Sequence, residues 1–174
     1  EVCRELGALT VGVVTMPFAF EGRARAQAAE TARAQLQQHV DLLIVVRNDK
    51  LSELLPAGTT VGETLYAADE VLRQSIAGVV SCLASSQLIN VDFADLRAVV
   101  SGAGAGHVGI GRASGANRAE AAARAALESP LLDAALDDIS GLVYSVQGGR
   151  GMSLQEVSRV GELLGAAVSD DAVV

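Results

Sequence analysis

Residues 61–83 carry the clearest alternation of apolar and polar positions in the chain. Apolar side chains recur there at steps of four and three residues, at Val61, Leu65, Ala68, Leu72, Ile76, Val79 and Leu83. This spacing places them on one stripe of an α-helix. The predicted helix is long for a globular protein, and a long helix with one apolar stripe often spans two subdomains.

The region before this helix alternates between two kinds of pattern. Short β-branched runs at residues 8–17 ("ALTVGVVTMP") and 41–49 ("DLLIVVRND") predict two buried strands. Between them, residues 21–40 are rich in Ala, Gln, Arg and Glu, which favour helix. Strand, helix and strand in this order predict a βαβ unit in a parallel sheet.

The second half of the chain predicts a smaller α/β layer. Its expected elements are a short helix from Phe93 to about Gly102, strands at 107–113, 141–149 and from 171, and helices at 117–129 and 153–167. Asn117 with Glu120, and Ser153 with Glu156, have the spacing of capping boxes. The run "GAGHVG" (104–109) matches a dinucleotide motif, but a helix precedes it and a strand follows, which is the wrong order, so we expect a turn.

The charge and composition of the chain argue against nucleic-acid and membrane binding. The net charge of −8 argues against a nucleic-acid binder and against a polybasic membrane-binding surface. No apolar run has the length of a membrane-spanning helix. We therefore expect no nucleic-acid partner and no direct membrane insertion.

Two carboxylates, Asp92 and Asp95, interrupt the apolar stretch "LINVDFADLRAVV" (88–100). Two interpretations of them stay open. Asp92 suits the N-cap of a helix that begins at Phe93, and Asp95 suits its first turn, where the helix dipole favours negative charge. Residues three apart also share one face of a helix. The pair is therefore able to orient a water molecule or hold a cation, although the pattern alone favours the structural interpretation.

Taken in order, the segments "TMPFAFEGRAR", "VDLLIVVRNDKL", "AADEVLRQSIAG", "QLINVDFADLRAVV" and "GLVYSVQGGRGMSLQEV" resemble FtsZ, the tubulin-like GTPase that polymerises into the cell-division or plastid-division ring. The resemblance covers essentially the whole chain. It implies an α/β fold in which residues 1–60 end a Rossmann-like parallel GTP-binding sheet and residues 61–84 form a central linking helix. Residues 85–174 would hold the catalytic loop and a truncated GTPase-activating domain. We expect the glycine-rich N-terminal half and the C-terminal tail to lie outside this sequence.

The resemblance also assigns site residues. Asn90, Asp92 and Asp95 match the family loop that enters the GTP site of the next subunit, where the acids would polarise water or position a cation near the γ-phosphate. Contacts of this chain with its own GTP or GDP would come from Glu21 and Arg25 at the ribose and nucleotide edge, from Asn48 and Asp69 at the guanine, and from Leu65, where the family usually has a stacking aromatic. Mg²⁺ or K⁺ is possible with the GTP, and no resident metal site is expected. The alternatives are purely structural roles, namely a helix ion pair between Glu21 and Arg25 and a turn position for Asn48.

The implied function is that of a GTPase assembled head to tail into filaments, inactive as an isolated fragment. Its further partners would be membrane adaptor proteins that bind a tail absent here. The implied location is the cytoplasm at the division site, or alternatively the plastid stroma. Departures from the family at Leu65, Arg47 and Ser86–Gln87 motivate an alternative, a divergent structural paralogue that co-assembles with little GTP turnover.

Overall fold

The computed structural model describes residues 2–83, 91–129, 131–132, 139–169 and 171–173. The chain divides into two units, Glu1–His107 and Val108–Val174. The described helices are α1 (Val2–Glu5), α2 (Arg23–Gln37), α3 (Asn48–Leu54), α4 (Val61–Leu83), α5 (Phe93–Val100), α6 (Arg118–Leu127) and α7 (Leu154–Gly165), and the strands are β1 (Val11–Met16), β2 (Leu42–Arg47) and β3 (Gly104–Gly106). None of these helices is both long and apolar enough to cross a membrane.

The first unit is built on a parallel sheet whose described strands lie in the order β1, β2, β3. Val11 pairs with Leu42, and Leu42 pairs in turn with Gly104. The central strand β2 supplies the core side chains Leu43, Ile44 and Val46. The prediction of a parallel βαβ unit is confirmed, because β1, α2 and β2 occupy the predicted positions.

Helix α4 has the predicted bounds, but the buried face shares only part of the predicted apolar stripe. Ala68, Ser75 and Cys82, spaced seven residues apart, are almost fully buried, whereas Val61 is 65% exposed and Ile76 is 51% exposed. Small side chains let the helix approach β1 and β2 closely, so the buried face follows residue size more than apolarity.

The expected strand at 107–113 is wrong, and the strand lies instead in the preceding glycine run, at Gly104–Gly106. A Cβ at Gly106 would lie 2.7 Å from Leu42 Cδ1, so glycine allows this strand to fit against β2. The chain beyond β3 packs against the backbone of α6. A Cβ at Gly111 would overlap the carbonyl oxygen of Ala122 and lie 2.7 Å from the amide nitrogen of Ala126.

The second unit packs α6 against α7 around Ala123, Val160 and Leu164. The Ser153–Glu156 capping box is confirmed. The Asn117–Glu120 box is wrong, because Asn117 makes no side-chain cap bond and Glu120 pairs with Arg124 instead.

The strands expected at 141–149 and from 171 reduce, among the described residues, to one parallel bridge between Gly141 and Val173. Leu142 and Val146 pack instead against the α6–α7 core. Their apolar pattern therefore reflects contact with helices and not pairing within a sheet.

Two candidate functional edges of the first unit

The carboxyl edge of the sheet gathers the sequence-predicted residues Glu21, Arg25 and Asn48. Met16 and Arg47 are register partners, so β1 and β2 end side by side. The turn containing Glu21 follows β1, and Asn48 follows β2 directly. In open α/β sheets, ligands bind beyond the carboxyl ends of the strands.

A tight turn after β1 is held in place by two carboxylates. The Phe18 N–H donates to Glu21 Oε1 at 2.9 Å, and the Ala19 N–H donates to Asp49 Oδ1 at 3.0 Å. Glu21 Oε2 also accepts from Arg25 Nη1 at 2.6 Å. The structure therefore contains the expected ion pair, although Glu21 lies in the turn before α2 and only Arg25 lies in the helix. Ligand contacts by Glu21 and Arg25 stay predictions.

Asn48 is a buried residue with an unsatisfied acceptor. It is 7% exposed and is the first residue of α3, so the structure places it in a helix and not in the expected turn. Its Oδ1 is buried without a hydrogen-bond partner among the described residues. Such an oxygen costs about 1–3 kcal/mol when left unpaired. A ligand N–H that reached it would recover that free energy.

A pocket at this edge is lined by Asp49, the residue after Asn48, and by Phe18, Phe20, Thr59, Val61 and Thr64. Leu65, the next residue of α4, is half exposed, and Asp69 is exposed one helical turn further along. Phe20 is not among the site residues that the sequence predicts. Its signal is the rarity of aromatics, since two of the three phenylalanines in the chain fall within "FAF".

The predicted catalytic acids lie at the other end of the sheet. Arg97 of α5 donates from Nη2 to the carbonyl oxygen of Gly7, which precedes β1. The N–H of Gly104 donates to the carbonyl oxygen of Asp41, which precedes β2. Helix α5 and the chain that follows it therefore border the amino edge of the sheet.

Asp92 occupies the predicted N-cap position of α5 with extended backbone angles. It makes no side-chain cap hydrogen bond, so the bond expected from the structural interpretation is absent. Asp92 and Asp95 are both exposed. Asn90, the third residue of the proposed loop, lies outside the described residues.

The sequence-predicted site therefore falls into two groups at opposite edges of one sheet. Glu21, Arg25 and Asn48 lie at the carboxyl edge, and Asp92 and Asp95 lie near the amino edge. The six-residue strand β2 separates the two edges by about 20 Å. Within one unit, the acids do not meet the residues predicted to bind the nucleotide.

Two family models match the chain. Residues 1–56 match the tubulin/FtsZ family GTPase domain, and residues 104–174 match the FtsZ family C-terminal domain. The chain belongs to the FtsZ family of tubulin-like proteins. The GTPase match contains Glu21, Arg25 and Asn48, whereas α4 and the two acids of α5 fall between the matched ranges.

Solved structures agree with FtsZ membership. The chain is similar to an FtsZ dimer from M. jannaschii, with 36% identity, a TM-score of 0.91, and coverage of 99% of this chain and 50% of that one. CetZ from Methanosaeta thermophila strain DSM 6194 shares the fold at 21% identity, with a TM-score of 0.64 and coverage of 97% and 48%. The GDP-form protofilaments of Bacillus thuringiensis serovar israelensis TubZ do so at 12% identity, with a TM-score of 0.57 and coverage of 99% and 50%. The chain thus spans about half the length of the FtsZ structures it matches, and its α/β architecture is the tubulin/FtsZ fold.

Proposed function

We propose that this chain is part of an FtsZ-type GTPase that assembles head to tail, and that its two α5 acids complete the GTP site of the next subunit. The observation that carries the proposal is the placement of the two residue groups at opposite edges of one sheet. A general base must come within about 3 Å of the proton it takes, or act through one water molecule. Acids about 20 Å from their own nucleotide edge serve a nucleotide only on another subunit.

The carboxyl edge suits guanine. Asn48 Oδ1 is a buried acceptor that lacks a partner in the described part of the chain. The guanine N1–H and exocyclic amine are donors that fit it. Asp69 would add a carboxylate to the same donor edge from α4, and Glu21 with Arg25 would meet the ribose. Leu65 would offer an apolar contact to the base.

The amino edge suits activation of water. Asp92 and Asp95 are exposed and three residues apart at a helix start, so both carboxylates project from the same region. Asp92 is not used for capping, so its oxygens remain available to a water molecule or to a hard cation such as Mg²⁺. Beside the γ-phosphate of a neighbour, the pair would orient the attacking water and accept its proton.

The similar proteins support an assembled state, since one FtsZ structure is a dimer and the TubZ structures are protofilaments. We extend the proposal to a filament of the cell-division ring, in the cytoplasm or in the plastid stroma. Membrane adaptor proteins would bind a tail outside this chain.

A mixing experiment tests the shared site. In the full-length protein, Asn48→Ala should disable the nucleotide edge, and Asp92→Asn with Asp95→Asn should disable the acid edge. Each variant alone should hydrolyse GTP poorly. An equal mixture should regain activity, because roughly a quarter of random head-to-tail contacts would pair two intact edges. A mixture that stays as inactive as its components would refute a site shared between subunits.

The second candidate function is a structural paralogue that co-assembles with little turnover. Leu65 favours it, because a half-exposed aliphatic side chain stands where a stacking aromatic is expected. Wild-type protein that enters filaments with negligible phosphate release would support this alternative. Turnover that rises steeply with protein concentration would support the GTPase.

A further inference from the structure

Phe20 is an exposed aromatic residue held on a fixed turn. Its side chain is 75% exposed, while its ring stacks on the buried Phe18 at a centroid distance of 5.2 Å and an interplanar angle of 16°. Glu21 and Asp49 accept hydrogen bonds from the backbone N–H groups of Phe18 and Ala19. An isolated exposed apolar side chain is common on protein surfaces. A preordered one beside a pocket loses little entropy on binding and is therefore suited to an interface.

The opposite edge carries apolar side chains that match this one. Val91 is 38% exposed and Phe93 is 48% exposed, and they flank Asp92 at the start of α5. Each edge of the first unit thus combines polar groups of the proposed GTP site with exposed apolar surface. A head-to-tail contact that brings the acids to the neighbour's nucleotide would bury both apolar surfaces together.

We propose that Phe20 is an apolar anchor at the carboxyl edge, and that its partner is the α5 edge of a second copy of this chain. The proposal rests on the head-to-tail function above and adds the residue that holds the contact. Aromatic side chains at the centre of an interface often supply much of its binding energy. Phe20 lines the same pocket as Asp49, the residue after Asn48, so the anchor would lie beside the proposed GTP site and would exclude water from it.

The competing role for Phe20 is to stack on the guanine base. The two roles differ in what a dilute monomer does. An anchor to a second copy contributes nothing to nucleotide binding by one subunit. A base-stacking residue contributes to it at any protein concentration.

The experiment uses the full-length protein with Phe20→Ala, Phe20→Leu and Phe20→Gln. GDP affinity is measured by calorimetry at concentrations where the protein is monomeric. The threshold concentration for assembly is measured by sedimentation with GTP. We expect unchanged GDP affinity for all three variants. The threshold should rise at least about tenfold for Ala and Gln, and Leu should restore most of the wild-type behaviour because it keeps apolar bulk.

Each of the following outcomes would refute the role of Phe20 as an anchor at the interface. Weaker GDP binding by the Phe20→Ala monomer would assign Phe20 to the base, and an unchanged assembly threshold would remove it from the interface. Equal thresholds for the Leu and Gln variants would show that apolar contact is not what matters. Failure of the wild-type protein to assemble would refute the proposed function itself, which separates that failure from failure of the anchor.

Discussion

Replacing Asp92 separates a capping role from a catalytic role. An N-cap aspartate that holds a backbone N–H stabilises a protein by about 0.5–2 kcal/mol relative to alanine. Asp92 has the N-cap position without the cap bond, and it is exposed. We therefore expect Asp92→Ala to change the free energy of unfolding by less than about 0.5 kcal/mol. GTP turnover should fall by about 10²- to 10⁴-fold, as removal of a general base does.

Ser153→Ala is the matched capping control. The Ser153 hydroxyl accepts from the Glu156 N–H at 3.3 Å, and the Ser153 N–H donates to Glu156 Oε2 at 2.8 Å. This variant should lose about 1 kcal/mol of stability with little direct effect on the chemical step.

Urea unfolding and phosphate release, both on the full-length protein, give the two readouts. Asp92→Asn adds a further arm, because asparagine caps as well as aspartate but carries no charge. A loss of stability for Asp92→Ala equal to that for Ser153→Ala, with turnover kept in Asp92→Asn, would refute the catalytic interpretation.

Three further predictions concern packing, pH and the side chain at position 65. Gly111→Ala should lose about 3 kcal/mol of stability in thermal unfolding, because the new Cβ meets backbone atoms of α6. Gly149→Ala, with open space around residue 149, should stay within about 0.5 kcal/mol of wild type. Equal melting temperatures for the two variants would contradict this packing. The hydrogen bonds from Arg118 and from the Ser153 N–H lower the pKa of Glu156 from 4.5 to about 2. The stability that this carboxylate contributes is therefore present above pH 4.5 and is lost as the pH falls towards 2. Glu156→Gln should flatten the decline in urea midpoint between pH 7 and pH 3, and an unchanged slope would count against the ion pair. Leu65→Phe in the full-length protein should tighten GDP binding by about 0.5–1.5 kcal/mol in calorimetry, and weaker or unchanged binding would show that residue 65 does not face the base.

The sequence predicted the elements whose patterns are local. The strands β1 and β2, the helix between them and α4 follow from β-branched runs, helix-forming composition and a period of three and four residues. The buried face of α4 was not predictable in the same way. The apolar pattern includes Leu65 and Ile76, which are exposed. The most buried residues of α4 are the small Ala68, which belongs to the pattern, and Ser75 and Cys82, which do not. Size at a contact depends on the partner surface, which the periodicity does not contain.

Errors in the second half have a related cause. The runs at 107–113 and 141–149 have apolar patterns typical of strands, but glycine lets the first lie on the backbone of α6, and Leu142 and Val146 pack with the helices. Sheet pairing needs a neighbouring strand, and a pattern within one segment does not show whether such a neighbour is present.

The sequence names candidate site residues, but it does not show which hydrogen bonds those residues make. Family resemblance named Asn48 and Asp92. A sequence does not show that the buried Asn48 Oδ1 lacks a partner among the described residues, or that Asp92 makes no side-chain cap bond. Both features concern hydrogen bonds that are not made. They are also the two observations that make a ligand and a catalytic role more reasonable than purely structural roles.

The direction of the sheet constrains how such a site would work. The turn with Glu21 follows β1 and Asn48 follows β2, whereas α5 is tied through Arg97 to Gly7, ahead of β1. Local rearrangement of a turn or a helix start moves side chains by a few ångströms, while the separation between the edges is about 20 Å. If Asp92 and Asp95 act on a nucleotide held by Asn48, that nucleotide therefore belongs to another subunit. Turnover would then require assembly, and loss of the exposed Phe20 or of the acids would reduce turnover by two different routes, one by weakening the contact and the other by removing the chemistry within it.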